Sequence, residues 1–274
     1  MNLSPATRKK LKAALFEDIG KGDKTSELLI PANATGKAMI ISREGGIFCG
    51  EAVVREIFRL ADTKLAARFF VKDGNAFSKN QKVAEIKGSA RAILKAERTA
   101  LNFLGRLSGI ATLTRQFVDR VKGYKVAILD TRKTTPFWRE LEKKAVRAGG
   151  GRNHRFGLFD AVFVKENHRP FGDLKKLRSV PKQFEIEVRD SRELVEALAL
   201  RPRTILFDNF KPGPLKKAVS LARKLNPKIL LEASGGITLK NVRAYAATGV
   251  NQISVGSLTH SVKSIDFSLL LLPQ

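Results

Sequence analysis

Two of the three histidines in the chain, His154 and His168, stand on either side of one short apolar run in "GGGRNHRFGLFDAVFVKENH" (149–168). Three glycines precede them, and Arg152, Arg155 and Lys165 lie among them. Glycine gives up more backbone entropy on ordering than any other residue, so three in a row mark a sharp bend or a close approach. Metal ligation by the two histidines has little support, because fourteen residues separate them and no cysteine or HExxH element is near. His168 is expected to cap or buttress its loop. A lysine ending "AVFVK" is costly to bury unless it meets an anion or loses its charge, which makes Lys165 a candidate for chemistry.

Other candidates follow the same logic. "DTRKTTP" (130–136) offers Arg132, a planar fork for a carboxylate, and Lys133, a point charge for phosphate. Such a pair is commonly solvated surface, but here it falls just past an apolar run. Glu187 and Asp208 end neighbouring apolar runs and suit a shared Mg²⁺ that also takes water and polyphosphate oxygens, although pairing with nearby Lys or Arg would explain them too. Glu185 and Glu187 point the same way if "FEIEV" is a regular strand. Ser234, Gly235 and Gly236 in "EASGGI", with Gly256 in "SVGS", suit a phosphate nest of backbone N–H groups. Arg98 shares a helix face with Leu94 and Leu101, which fits either an arginine lying along apolar surface or an anion contact at a subunit boundary. Together these groups ask for a substrate with several carboxylates, a terminal phosphate and a metal-bound polyphosphate.

The elements that must position them are legible from residue 126 onward. Short apolar runs end at Asp130, Lys165, Glu187, Asp208, Glu232 and Gly256, and the last five lie 22, 21, 24 and 24 residues apart. Helix-like segments at 139–148, 191–200, 214–225 and 239–248 lie between them. Strands apolar throughout and alternating with helices predict a parallel sheet, and six such units predict an incomplete, six-stranded α/β barrel over 116–257. Barrel chemistry collects at the carboxyl ends of strands, where the candidates fall. Residues 1–115 read as a smaller α/β domain with β-like runs, turn signals and a long helix from about Ala92 to Val121. The tail 258–274 is expected to join it or to close the barrel. Ser4, Pro5 and the recurrence of Leu11, Leu15 and Ile19 predict a capped first helix rather than a signal peptide.

Composition sets the outer bounds. Fifty-one Lys and Arg against 26 Asp and Glu give a formal charge of +25, which favours anionic partners. No zinc-finger spacing, ribonucleoprotein motif or basic helix before a heptad accompanies it, so no specific nucleic-acid role is expected. No apolar run approaches a membrane span. The single cysteine, Cys49, excludes an intramolecular disulfide and fits a cytoplasmic protein.

Several long blocks taken in order carry a resemblance. "ERTALNFLGRLSGIAT" (97–112), "DTRKTTP" (130–136), "LEKKAVRAGGGRNHRFGLFDAVFVKENH" (141–168), "FEIEV" (184–188), "LFDNF" (206–210), "EASGGITLKNV" (232–242) and "EDIGKGDKTS" (17–26) resemble the quinolinate phosphoribosyltransferases. The resemblance implies conversion of quinolinate and phosphoribosyl pyrophosphate to nicotinate mononucleotide, pyrophosphate and CO₂ in NAD biosynthesis, with Mg²⁺. It also implies a homodimer with shared active sites. By position, Arg132, His154, Arg155 and Lys165 match the quinolinate and transfer site, with Arg98 supplied across the dimer. Lys133, Glu187 and Asp208 match the diphosphate, ribose and Mg²⁺ region, and Ser234, Gly235, Gly236 and Gly256 match the 5′-phosphate site.

The sequence departs from the family pattern at Phe137-Trp138, where the resemblance leads one to expect Gly-Leu, at Arg189, and at Glu166, where Asp is expected. A paralogue associated with molybdate transport shares the expected fold but departs around "NHR" and "KENH", both intact here. A Schiff-base aldolase using Lys165 is the rival from another enzyme class.

Overall fold

Ser4 caps the first helix, its Oγ accepting from the Thr7 amide at 3.1 Å, and Pro5 fills a first-turn position where a missing N–H costs nothing. Helix α1 (Pro5–Ile19) buries Leu11 and Leu15. The computed structural model describes residues 3–179 and 184–273; the expected domain spans also contain residues 1, 2, 180–183 and 274, which lie outside the described residues.

After α1 come α2 (Lys24–Leu29), β1 (Thr35–Ser42), β2 (Gly46–Ile47), α3 (Glu51–Ala61), β3 (Ala66–Phe69), β4 (Ala76–Phe77), β5 (Lys82–Ser89) and the long helix α4 (Ala90–Arg120). The second half holds β6 (Ala127–Leu129), α5 (Arg139–Ala148), β7 (Phe163–Val164), β8 (Glu185–Val188), α6 (Ser191–Ala199) and β9 (Thr204–Asp208). It continues through α7 (Pro212–Leu225), β10 (Leu230–Ser234), α8 (Val242–Ala246), β11 (Gln252–Ser254) and α9 (Ser257–His260) to β12 (Phe267–Pro273). Among the described residues, no helix is long and apolar enough to cross a membrane.

The chain divides into two units. One comprises the chain up to Leu113 with Thr135–Gly150 and the tail from Ser261; the other comprises Thr114–Thr134 and Gly151–His260. In the first unit an antiparallel sheet runs in the order β12-β1-β5-β3. The tail therefore joins this sheet, with Gly36 opposite Pro273 and Ser42 opposite Phe267. Two glycines inside α4 admit the tail: a Cβ on Gly105 would fall 2.5 Å from the Ile265 carbonyl oxygen, and one on Gly109 would fall 2.3 Å from that of Lys263. A buried carboxylate braces α5 in the same unit. Glu142 accepts from Arg106 at 2.7 and 2.8 Å and from the Thr135 amide at 3.1 Å.

In the second unit six parallel strands run in the order β6-β11-β10-β9-β8-β7. This is the incomplete barrel expected from the apolar runs. Arg152 forms one further parallel bridge with Leu129, its amide donating to the Ile128 carbonyl at 2.8 Å, so the segment after the glycines lies along the free edge of β6.

Candidate active site

Side chains alternate along a strand, so every second residue faces the barrel interior. Leu206 and Asp208 from β9, Glu232 and Ser234 from β10, and Ser254 from β11 with Gly256 beyond it all line one cavity of about 720 Å³. Parallel register puts Asp208 beside Ser234 and Glu232 beside Leu206. Arg132, Lys133, His154, Arg155, Lys165, Glu187, Gly235 and Gly236 of the expected set lie on the same walls. A second cavity, about 780 Å³, lies toward the strands' amino ends; its lining includes Arg201, Arg203 and Lys228 but none of the predicted site residues.

The carboxyl end of β7 delivers Lys165, whose Nζ lies 3.0 Å from Glu187 Oε2. Its backbone N–H donates to His168 Nδ1 at 2.8 Å, so His168 caps the turn as its sequence position suggested. Glu187 is buried, and burial pushes its carboxyl up to about 7, with the hydrogen bond that its protonated form donates to the Glu166 carboxylate adding to the rise against the opposing pull of Lys165. Glu166 is held below its ordinary value by the same bond. Asp208 accepts from Asn209 Nδ2 at 2.7 Å, and its charge adds to the rise at Glu187.

The basic end is built around Phe163. The Arg155 guanidinium carbon and Lys165 Nζ each lie 5.0 Å from the centre of that ring, and the His154 ring lies 5.6 Å from it. Burial, then repulsion from Arg132, lowers the Arg155 pKa. His154 is fixed from three sides. Its amide donates to Asp130 Oδ1 at 2.9 Å, its Nδ1 accepts from the Arg155 amide at 2.8 Å, and its Nε2 lies 3.0 Å from Glu185 Oε2 and 3.6 Å from Glu232 Oε1. Glu232 also accepts from Ser254 Oγ. Burial, then the Glu185 charge, pushes Glu232 up to about 8. Ligand-type atoms of His154, Glu185 and Glu232 lie within 4.8 Å of one another, a spacing that would admit a cation. With Nδ1 accepting, however, the proton of a neutral ring sits on Nε2, so the cluster is built for hydrogen bonding.

The glycines shape the remaining wall. Gly235 has φ +93° and Gly236 φ +61°, and a Cβ on Gly235 would fall 2.1 Å from Asn209 Oδ1. No helix follows these glycines directly: Asn241 bridges from the Thr238 amide to the Gly236 carbonyl, and α8 begins only at Val242. Gly256, by contrast, immediately precedes α9. Lys133 is exposed, with its carbonyl accepting from Thr259 at 2.7 Å. Arg98 is exposed on α4 in the first unit and is not among the residues lining the cavity. Sequence reasoning left Glu232 and Ser254 out of the site. Both lie two residues before a predicted site residue, the signal a strand's period provides.

A parallel α/β barrel that gathers arginines, a lysine, paired carboxylates and glycine turns into one strand-end cavity defines an enzyme acting on anionic, phosphorylated substrates. The particular family is given by two matches: residues 23–108 match the N-terminal domain of quinolinate phosphoribosyl transferase, and 110–270 its C-terminal domain. The chain belongs to that family. It is 44% identical to a probable carboxylating nicotinate-nucleotide pyrophosphorylase of Bacillus subtilis, over 96% of this chain and 92% of that one. It is 40% identical to the carboxylating nicotinate-nucleotide pyrophosphorylase of Mycobacterium leprae, over 96% of each. The solved nicotinate-nucleotide pyrophosphorylase of Francisella tularensis superposes with a TM-score of 0.91 at 39% identity, covering 99% of this chain and 98% of that one.

Proposed function

We infer that this enzyme transfers the phosphoribosyl group of phosphoribosyl pyrophosphate to quinolinate and removes the 2-carboxylate. The products are nicotinate mononucleotide, pyrophosphate and CO₂, a step of de novo NAD biosynthesis. The observation that carries the reading is one cavity with Arg155 and Lys165 against Phe163, Arg132 on the same lining, and Glu187 and Asp208 on adjacent strands. Membership of the family gives the substrates their names.

In this reading Arg132, Arg155 and Lys165, with His154 beside them, hold the two pyridine carboxylates and aim the ring nitrogen at the sugar carbon. Lys133 faces the diphosphate, and Ser234, Gly235, Gly236 and Gly256 take the 5′-phosphate. The bond from C1′ to diphosphate breaks, the bond from the pyridine nitrogen to C1′ forms, and Glu187 and Asp208 face the positive charge that develops between. The positive charge of the alkylated nitrogen then stabilises the electron pair that stays on the adjacent ring carbon as the 2-carboxylate departs as CO₂, and that carbon takes up a proton. In this reading Lys165 and Glu187, 3.0 Å apart, face this exchange of charge.

Glu187 and Asp208 fit Mg²⁺: both are oxygen donors on one wall, and the Asp208 charge raises the cost of ionising Glu187, which a cation would relieve. The ion would supply charge neutralisation of the departing diphosphate. We assign Arg98 to the neighbouring protomer's site in a homodimer, consistent with its exposure on α4. Residues 1–115 with the tail form the sandwich domain of this reading, 116–257 its barrel, and the cytoplasm its location. The test is turnover of quinolinate against nicotinate, with and without EDTA. Quinolinate-specific, EDTA-sensitive product formation that disappears in Lys165→Ala supports the assignment; equal use of nicotinate contradicts it.

A further inference from the structure

Glu185 stands two residues before Glu187 on β8, shares its face, and yet does not line the cavity. Its Oε2 is instead engaged by His154 Nε2 at 3.0 Å. A carboxylate placed behind a cavity rather than in it acts through what it touches. The chain of contact is short: Glu185 meets Nε2, and Nδ1 of the same ring accepts the Arg155 amide at 2.8 Å. The Arg155 guanidinium then stacks over Phe163 and donates to the Ala161 carbonyl at 3.0 Å.

An imidazole can accept at one nitrogen only if its proton is on the other, so an acceptor at Nε2 and a donor at Nδ1 specify one tautomer between them. Were the proton on Nδ1, it would point at the Arg155 N–H, and the backbone bearing the guanidinium would have to move. Glu232 Oε1, 3.6 Å from Nε2 and held by Ser254, stands behind as a second acceptor on the same side.

We propose that Glu185, backed by Glu232, is a positioning residue that accepts a hydrogen bond from the Nε2–H of His154, fixes the ring tautomer that accepts the Arg155 amide, and thereby sets Arg155 for an aromatic carboxylate. The inference rests on the quinolinate reading of the cavity, because the group being positioned belongs to its basic end. Removal of a hydrogen bond to a charged group is worth about 1.5–3 kcal/mol, so a loss expressed in substrate binding amounts to about tenfold or more.

The test uses the full chain with ¹⁵N-labelled histidine and four proteins: wild type, Glu185→Ala, Glu185→Gln and, for assignment, His154→Asn. The expected wild-type spectrum shows His154, assigned by its absence in His154→Asn, as the Nε2–H tautomer. In Glu185→Ala that signal shifts toward a mixture of tautomers, KM for quinolinate rises about tenfold, and KM for phosphoribosyl pyrophosphate stays within about twofold. In Glu185→Gln, whose amide oxygen still accepts, both the tautomer and KM return toward wild type. A wild-type Nδ1–H tautomer, an unchanged quinolinate KM in Glu185→Ala, or an equal rise in both KM values would overturn the proposal. If wild-type protein neither binds nor turns over quinolinate, the functional reading falls, while the tautomer spectra still decide whether Glu185 governs His154.

Discussion

Gly235→Ala and Gly236→Ala form a pair in which the structure separates backbone conformation from space. At Gly236, with φ +61°, an added Cβ meets nothing within 4 Å, so the cost is that of an alanine in the left-handed region, about 1–2 kcal/mol. At Gly235, with φ +93°, the same kind of penalty applies, but the Cβ also falls 2.1 Å from Asn209 Oδ1 and 2.8 Å from Asn209 N. The side-chain oxygen can rotate away, though only by disturbing the amide that donates to Asp208 at 2.7 Å. The backbone nitrogen cannot, because it is pinned by its hydrogen bond to the Ser234 carbonyl at 2.9 Å. Overpacking of this kind adds about 1–3 kcal/mol, for a total of about 2–5 kcal/mol. At roughly 2–4 °C per kcal/mol, Gly236→Ala should lower the unfolding temperature by about 2–8 °C and Gly235→Ala by about 4–20 °C. Scanning calorimetry of both variants measures the difference directly, and KM for phosphoribosyl pyrophosphate should rise more in Gly235→Ala because Asp208 moves with Asn209. Equal losses of stability, or a neutral Gly235→Ala, would refute the assignment of the clash.

Three further outcomes follow from other parts of the molecule. Phe137 holds φ +67° and is 76% exposed, so Phe137→Gly relieves about 1–2 kcal/mol of strain against about 0.5–1 kcal/mol of added chain entropy; a small rise in thermal unfolding temperature is expected, and a fall would mean that the ring's contact with Lys10 Nζ, 5.8 Å from its centre, outweighs the strain. Burial raises Glu232 from 4.5 to about 8, so the wild-type fold favours its neutral form and loses stability as pH climbs from 4.5 through 8. Glu232→Gln, which never ionises, should match wild type near pH 4 in urea unfolding and exceed it by on the order of a few kcal/mol at pH 9; a constant difference across that range would contradict the shift. Lys165→Ala leaves Glu187 buried without its 3.0 Å partner, so the Glu187 titration should move higher still while turnover is lost, which carboxyl ¹³C spectra and a steady-state assay can follow together.

The barrel was legible because its strands carry two signals at once, apolar runs and polar residues at their carboxyl ends. Lys165, Glu187, Asp208 and Ser234 could be placed on one mouth without any contact being known. What stayed hidden depends on pairing across long stretches of chain. The tail's return to β1 is visible only once Ile265 and Lys263 are seen against Gly105 and Gly109. Residues 135–150 read as a helix of the barrel region, yet they pack in the first unit, where Glu142 answers Arg106 and Thr135. The segment 239–248 reads as helical by composition, but Asn241 spends its side chain on the Gly236–Thr238 turn and the helix is confined to Val242–Ala246. The polar cluster of Asp130, His154, Glu185 and Glu232 was unreadable for the same reason. Its members come from four separate stretches, and nothing local marks Glu185 as facing a histidine rather than substrate.

The central claim is that one cavity joins a sugar carbon to the quinolinate nitrogen and then expels the neighbouring carboxylate. It is tested most directly by quinolinate labelled with ¹³C in the 2-carboxylate, incubated with purified protein, phosphoribosyl pyrophosphate and Mg²⁺. Labelled CO₂ should be released in step with nicotinate mononucleotide and pyrophosphate, one for one. Pyrophosphate formed without labelled CO₂, or no reaction from folded protein, would contradict it.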